Sequence, residues 1–172
     1  MPKNKAFFLD RDGVIIKNIP YLHKIEDIEF ISGVNDAIKM INHNGYKCII
    51  VTNQSGVARG ILTINKVNEI NEFIKNYLEI NGAKIDEFYI CPHYPDGVIK
   101  KYSIVCDCRK PKPGMLKEAA KKYDIELLNS YMIGDKKSDK EAGEEVGCKS
   151  FQLKTNEHSF KELIDITKHF LD

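Results

Sequence analysis

The sequence contains no long hydrophobic run. None of its apolar segments approaches the roughly 20 consecutive apolar residues that a membrane-spanning helix needs. The N-terminal apolar run ends at Asp10, which is too early for the core of a signal peptide. We therefore expect a cytoplasmic protein that has no membrane partner.

The chain also lacks an excess of charge of either sign. Its 26 basic and 25 acidic residues leave a net charge of +1, so no overall field favours nucleic acid or an anionic membrane. An anionic ligand must then be recognised by a local group of residues. The chain has 172 residues and neither an internal repeat nor a low-complexity segment, and we expect residues 1–172 to form one domain. Because no heptad seam is present, the expected state is a monomer.

Cysteines are few and odd in number. Five are present, and a chain without an export signal does not favour a disulfide framework. Three of them crowd into one segment, and with a nearby histidine they make the set Cys91, His93, Cys106 and Cys108. This Cys₃His set suits Zn²⁺ and fills all four tetrahedral positions, which predicts a structural zinc in the loop 91–108. The alternative is that these cysteines are reduced and loosely buried, with His93 on the surface. We expect Cys48 and Cys148 to be small core residues rather than ligands.

Short apolar segments alternate with amphipathic segments along the chain. The apolar segments predict strands at residues 6–9, 46–51, 85–91, 131–133 and 149–153. The amphipathic segments predict helices that begin near residues 34, 63, 113, 138 and 159. Ser138 with Glu141, and Ser159 with Glu162, match the capping-box pattern. The alternation predicts a Rossmann-like α/β fold, in which right-handed crossovers place helices on both faces of a parallel sheet.

Polar side chains directly follow three of these predicted strands. Asp10 and Asp12 follow the first, the segment 52–55 follows the second, and Asp135 follows the fourth. Ligands of such sheets bind beyond the carboxyl ends of the strands, so we expect these residues to meet at one edge. A lone D-x-D is a weak signal, but three segments that converge on one edge predict a binding site.

The residues expected at this edge suit a phosphate ester. Asp10 and Asp135 offer the oxygen ligands that Mg²⁺ prefers. Arg109 and Lys110 offer positive charge, and Thr52 offers a hydroxyl group beside a loop whose backbone N–H groups can face an anion. Neutralising the charge of a transferring phosphoryl group is the main catalytic demand of phosphoryl transfer, which is therefore the predicted chemistry.

Four segments, in this order, resemble the motifs of the haloacid dehalogenase superfamily phosphatases. They are Asp10-Arg11-Asp12-Gly13, Thr52-Asn53-Gln54-Ser55-Gly56, Arg109-Lys110-Pro111, and Gly134-Asp135-Lys136 with Asp139. The resemblance covers almost the whole chain and implies a haloacid dehalogenase-like fold. Because no domain is inserted between the motifs, it also implies an open site without a large cap domain.

The resemblance implies a catalytic role for four side chains. Asp10 would be the nucleophile that forms an aspartyl-phosphate. Asp12 would protonate the leaving alcohol and then activate water to hydrolyse the intermediate. Thr52 and Lys110 would hold the phosphoryl oxygens.

The resemblance also implies a Mg²⁺ site. The Asp10 side chain, the Asp12 backbone carbonyl and the Asp135 side chain would bind the ion. Asp139 would support Lys136 or the water molecules on the metal.

The cysteine-rich loop indicates which branch of this superfamily the chain resembles. Its C-x-H and C-x-C pairs, joined to R-K-P, resemble the branch that contains the heptose bisphosphate phosphatases and the histidinol-phosphate phosphatases. The twelve residues between His93 and Cys106 resemble the heptose enzymes, whose loop is longer. The substrate contacts that this likeness implies for a sugar phosphate are Asn18, Ile19, Pro20, Tyr21, Thr52, Asn53, Gln54, Ser55, Arg109, Lys110 and Lys136.

Three alternatives stay open at this point. A histidinol-phosphate phosphatase would share every motif above except the longer loop. A zinc-dependent module that binds nucleic acid or protein would use the cysteine-rich loop, but it would not explain the carboxylates at the strand ends, and the near-neutral charge disfavours nucleic acid. A non-catalytic phosphate-binding member of the fold would most simply have lost Asp10 or Asp12, and both are present.

Overall fold

Five parallel strands form one sheet in the computed structural model of the protein, which describes residues 3–153 and 161–171. Within these ranges the strands are β1 (Ala6–Leu9), β2 (Lys47–Asn53), β3 (Glu87–Cys91), β4 (Tyr131–Gly134) and β5 (Lys149–Gln152). Their order in the sheet is β3-β2-β1-β4-β5, and every adjacent pair is parallel. The predicted parallel α/β sheet is confirmed.

Helices cover both faces of this sheet. They are α1 (Val34–His43), α2 (Ile64–Ile80), α3 (Gly114–Tyr123), α4 (Lys137–Glu145) and α5 (Leu163–Leu171), with short 3₁₀ helices at Ile25–Asp27 and Leu127–Asn129. Phe7 and Leu9 of β1 pack in the core formed with α1, α2 and α5, whereas Phe8 packs with α3 and α4. Since successive side chains of a strand point to opposite faces, β1 must be apolar at every position. None of the described helices is long and apolar enough to cross a membrane.

The strand boundaries differ slightly from the expected ones. β2 continues to Asn53, so Thr52 belongs to the strand, and β3 begins at Glu87 rather than at Ile85. At the start of β3, the carboxylate of Asp86 accepts a hydrogen bond from the backbone N–H of Cys48 at 2.9 Å. The Asp86 side chain thus provides the acceptor for the Cys48 N–H that a backbone carbonyl would otherwise provide.

The start of α4 corrects one prediction. The expected capping box of Ser138 and Glu141 is wrong, because the helix begins at Lys137, earlier than that pattern requires. The carboxylate of Asp139 instead accepts a hydrogen bond from the backbone N–H of Lys136 at 3.0 Å. The N-cap of α2 is as expected, since the Thr63 side chain accepts from the backbone N–H of Lys66. The other predicted capping box depends on Ser159, which lies outside the described residues.

The chain reverses its direction across the sheet beside β1. It proceeds from β1 outward to β2 and β3, and then returns to β4 and β5 on the other side of β1. At such a switch point the loops beyond β1 and β4 diverge and leave a crevice at the carboxyl ends of the strands. The backbone N–H of Asp10 donates to the carbonyl of Ile133 at 2.9 Å, which holds the two strand ends together. The residues after β1 and β4 therefore face one crevice.

Candidate active site

Three carboxylates meet in this crevice. One oxygen from each of Asp10, Asp135 and Asp139 can be chosen so that all three lie within 4.8 Å of one another. Asp135 also lies directly against Gly13, whose φ of +86° is in the left-handed region and where a Cβ atom would overlap the Asp135 carboxylate. The glycine of the first motif therefore makes the close approach of the β1 and β4 loops possible.

Lys110 supplies the buried positive charge of the crevice. Its Nζ lies 3.0 Å from Asp10 Oδ1 and 2.6 Å from Asp139 Oδ1, and it donates to the carbonyl of Val51 at 2.7 Å. Burial by itself lowers the pKa of the Lys110 ammonium, but the charges of Asp10 and Asp139 outweigh burial, so the net pKa is raised. Lys110 is therefore a fixed cation beside Asp10.

Asn53 holds the backbone of Lys110. Its Nδ2 donates to the Lys110 carbonyl at 3.0 Å, and its Oδ1 accepts from the Lys110 N–H at 3.1 Å. This reciprocal pair joins the end of β2 to a residue that lies 57 positions later in the chain. Asn53 was expected to contact substrate, and the structure shows that its amide is engaged in positioning Lys110.

The environment of Asp135 fits a divalent cation. Burial, followed by the nearby charge of Asp10, raises the pKa of the Asp135 carboxyl to about 6. Its Oδ1 is buried, and no other described residue donates a hydrogen bond to it. A buried carboxylate oxygen without a donor, beside further carboxylates, matches the oxygen ligands that Mg²⁺ prefers. The donor set present in the crevice therefore fits the expected ion.

Asp12 lies on the β2 side of the crevice. Gln54 Nε2 is 2.9 Å from both Asp12 Oδ2 and Thr52 Oγ1, so one amide joins these two side chains. Thr52 is fully buried, whereas the Asp12 side chain keeps 14 % of its surface exposed. The Asp12 side chain is thus accessible from the crevice, and a hydrogen bond from Gln54 fixes its position.

A cavity of about 250 Å³ opens beside Asp12. Its lining includes most of the expected substrate contacts, namely Asn18, Ile19, Pro20, Tyr21, Asn53, Gln54, Ser55 and Lys136.

Arg109, another expected substrate contact, does not line this cavity. Its Nη1 donates to the His93 carbonyl at 3.3 Å and its guanidinium lies 5.3 Å from the centre of the Tyr94 ring. The side chain of Arg109 is thus directed to the cysteine-rich loop, and that of Lys110 to the crevice.

The four predicted zinc ligands form one cluster. Cys91 Sγ is 3.6 Å from Cys106 Sγ, and Cys108 Sγ is 3.3 Å from both Cys106 Sγ and His93 Nδ1. Ligand atoms about 2.0 to 2.3 Å from a shared tetrahedral zinc would be about 3.3 to 3.8 Å apart. The donor set and its spacing therefore fit Zn²⁺. Cys48 and Cys148 are buried in the core, as expected.

Proteins of similar sequence are phosphatases, which is consistent with the arrangement of carboxylates and lysine in the crevice. The HAD-hydrolase-like family model matches residues 107–170. The D-glycero-alpha-D-manno-heptose-1,7-bisphosphate 7-phosphatase of Photorhabdus laumondii is 46% identical over 154 residues, which cover 89% of this chain and 84% of that protein. The D-glycero-beta-D-manno-heptose-1,7-bisphosphate 7-phosphatase of Escherichia coli K12 is 43% identical over 137 residues, which cover 80% of this chain and 72% of that protein. This chain belongs to the haloacid dehalogenase-like phosphatases.

Solved structures of haloacid dehalogenase-like proteins share this fold. The crystal structure of D,D-heptose 1,7-bisphosphate phosphatase from B. bronchiseptica, complexed with magnesium and phosphate, has a TM-score of 0.83 and 27% identity and covers 97% of this chain and 98% of that chain. A putative HAD-like phosphatase from Mesorhizobium loti has a TM-score of 0.86 and 32% identity and covers 91% of this chain and 75% of that chain. The expected haloacid dehalogenase-like fold is confirmed.

Two further features of this phosphatase site were missed from the sequence. Asp139 contacts Lys110 directly as well as supporting Lys136, which was its expected role. The motif by itself assigns no role to Arg11, yet this side chain is fully buried and contacts Asp12 and Asn71. An asparagine inside the apolar stripe of a helix was the available signal for the second contact, since such a residue needs a polar partner.

Proposed function

We propose that this phosphatase removes the 7-phosphate of D-glycero-D-manno-heptose 1,7-bisphosphate. The observation that carries the proposal is the crevice itself, where Asp10 lies 3.0 Å from the buried Lys110 ammonium. The named activities of relatives that are 43% and 46% identical support the sugar bisphosphate as the substrate. The open cavity beside Asp12 leaves room for a substrate that carries polar groups at both ends.

The proposed reaction has two steps. In the first, an Asp10 carboxylate oxygen bonds to phosphorus, the bond from phosphorus to the sugar oxygen breaks, and Asp12 gives its proton to that oxygen. In the second, Asp12 takes a proton from water as the water oxygen bonds to phosphorus, and the bond to Asp10 breaks. Lys110 and Thr52 stay beside the phosphoryl oxygens throughout and stabilise their charge.

The proposed cofactor is Mg²⁺, held by the Asp10 carboxylate, the backbone carbonyl of Asp12 and Asp135. When bound, the ion would offset the negative charge that these carboxylates and the phosphate bring together. Asp135 Oδ1, to which none of the described residues donates a hydrogen bond, supports this assignment. We further infer that the enzyme acts as a monomer in the cytoplasm.

The substrate is tested by comparing kcat/KM for both anomers of heptose 1,7-bisphosphate with kcat/KM for histidinol phosphate. We expect the better heptose anomer to exceed histidinol phosphate by about a hundredfold or more, because a site built for a polar sugar leaves its donors unpaired with the wrong ligand. Faster turnover of histidinol phosphate would contradict the proposal, and the two anomers tested separately show which configuration is preferred.

We also propose a structural Zn²⁺ bound by Cys91, His93, Cys106 and Cys108. Metal analysis of protein purified without added zinc should find about one zinc per chain, as a four-ligand site requires. Cys106→Ser should lose the metal, whereas Cys148→Ser, which alters a cysteine outside the cluster, should keep it. Wild-type protein that contains no zinc would refute this assignment.

A further inference from the structure

One polar side chain lies within the buried apolar stripe of α2. Asn71 is only 4% exposed, and buried apolar neighbours such as Ile70 and Ile74 surround its position on the helix. Its Oδ1 accepts a hydrogen bond from Arg11 Nη1 at 2.9 Å, while its Nδ2 has no hydrogen-bond partner among the described residues. Burying an amide with an unpaired N–H group costs stability, so packing alone does not account for asparagine here.

Arg11 connects Asn71 to Asp12. It is one of the largest fully buried side chains of the described protein, with 1% of its surface exposed. Its Nε donates to Asp12 Oδ2 and its Nη2 donates to Asp12 Oδ1, both at 3.1 Å, and Nη2 also lies 3.0 Å from Oδ2. A guanidinium is a planar fork, so two such bonds fix both the position and the plane of a carboxylate. Asn71 holds the remaining Nη1 end of that fork.

The two oxygens of Asp12 are not equivalent in this arrangement. Oδ2 accepts hydrogen bonds from Arg11 Nε at 3.1 Å and from Gln54 Nε2 at 2.9 Å. Oδ1 accepts from Arg11 Nη2 alone among the described residues. Two different side chains therefore donate to Oδ2, whereas one donates to Oδ1. Oδ1 is therefore the oxygen that has more capacity left for a further hydrogen-bond partner.

We propose that Asn71 is a positioning residue, which acts through Arg11 to orient the Asp12 carboxyl so that Oδ1 delivers its proton to the leaving oxygen. The inference rests on the proposed function, in which Asp12 is the general acid. In that step the bond from Asp10 to phosphorus forms, the bond from phosphorus to the sugar oxygen breaks, and the proton moves from Asp12 Oδ1 to that oxygen. Neither Asn71 nor Arg11 is consumed or changes its charge.

The test variant is Asn71→Leu, which keeps the side-chain size, suits the apolar stripe and removes the acceptor for Arg11. We measure kcat/KM for heptose 1,7-bisphosphate, whose alkoxide leaving group needs a proton, and for 2,4-dinitrophenyl phosphate, whose leaving group does not. General acid catalysis contributes about 10²- to 10⁴-fold, so misplacing the acid should lower the first value about tenfold and the second by less than about twofold. The ratio of the two losses separates proton delivery from general damage.

The matched control is Asn68→Leu, one turn earlier on the exposed side of α2, which should leave both kcat/KM values unchanged. If Asn71→Leu does not fold, Asn71→Ser, which is too short to reach Arg11, makes the same comparison. Equal losses for both substrates, or no loss for either, would overturn the inference. Failure of the proposed function is distinguishable, because the unaltered enzyme would then release no phosphate from the sugar bisphosphate.

Discussion

Asp10→Asn is expected to lower kcat by about 10⁴-fold or more, the range found when a covalent nucleophile is removed. An amide is a poor nucleophile and forms no acyl phosphate, so the first step of the proposed reaction is blocked. The fold should survive, because Lys110 keeps its ion pair with Asp139. Removing the Asp10 charge also relieves repulsion, since that charge contributes to raising the pKa of both Asp135 and Asp139.

Two measurements check this prediction. Phosphate release is followed at saturating substrate, and acid-quenched protein is examined by mass spectrometry for a covalently bound phosphoryl group, which the wild type should carry and Asp10→Asn should not. Asp36→Asn, which neutralises an exposed carboxylate on α1, serves as the control and should behave as wild type. Turnover that persists in Asp10→Asn would show that another group attacks phosphorus.

Lys110→Met should affect both activity and stability. The variant leaves the crevice carboxylates without their buried cation, and removing one member of a buried ion pair costs about 3 to 5 kcal/mol of unfolding free energy. It also removes the positive charge that the proposed reaction uses to stabilise the phosphoryl oxygens, so we expect kcat/KM to fall about 10³-fold. Methionine has a similar length and shape, and the loss therefore reports charge rather than volume.

Urea unfolding followed by circular dichroism, together with phosphate release, measures the two effects. Lys112→Met is the matched control, because its ammonium is exposed and, within residues 3–153 and 161–171, its ion-pair partner is the exposed Asp107 at 3.2 Å. Such surface pairs contribute about 0 to 1 kcal/mol, so the control should unfold at nearly the wild-type urea concentration. Equal stability of the two variants would mean that Lys110 does not compensate the crevice carboxylates.

The local sequence pattern was sufficient to predict those features that follow directly from the geometry of the backbone, such as a buried strand and the residues at its end. Ala6 to Leu9 is apolar at every position because a strand covered on both faces buries every side chain, and the carboxylates that follow it necessarily lie at the edge of the sheet. The Cys₃His cluster was also predictable, because it consists of two pairs, Cys91 with His93 and Cys106 with Cys108, whose members lie two positions apart in the sequence. Pattern was less reliable at the ends of elements, as the wrong capping box at Ser138 shows.

The sequence by itself determined the alternation of strands and helices, the strand-end position of Asp10, Asp12 and Asp135, and the chemistry that these residue types can perform. Only the tertiary structure decided which side chains are partners: Lys110 with Asp139, Asn53 with the backbone of Lys110, and Asn71 with Arg11, 60 positions away. Periodicity records which face of an element is buried. It carries no information about which residue of a distant element packs opposite, because that depends on how α2 and the loop after Cys108 dock against the sheet.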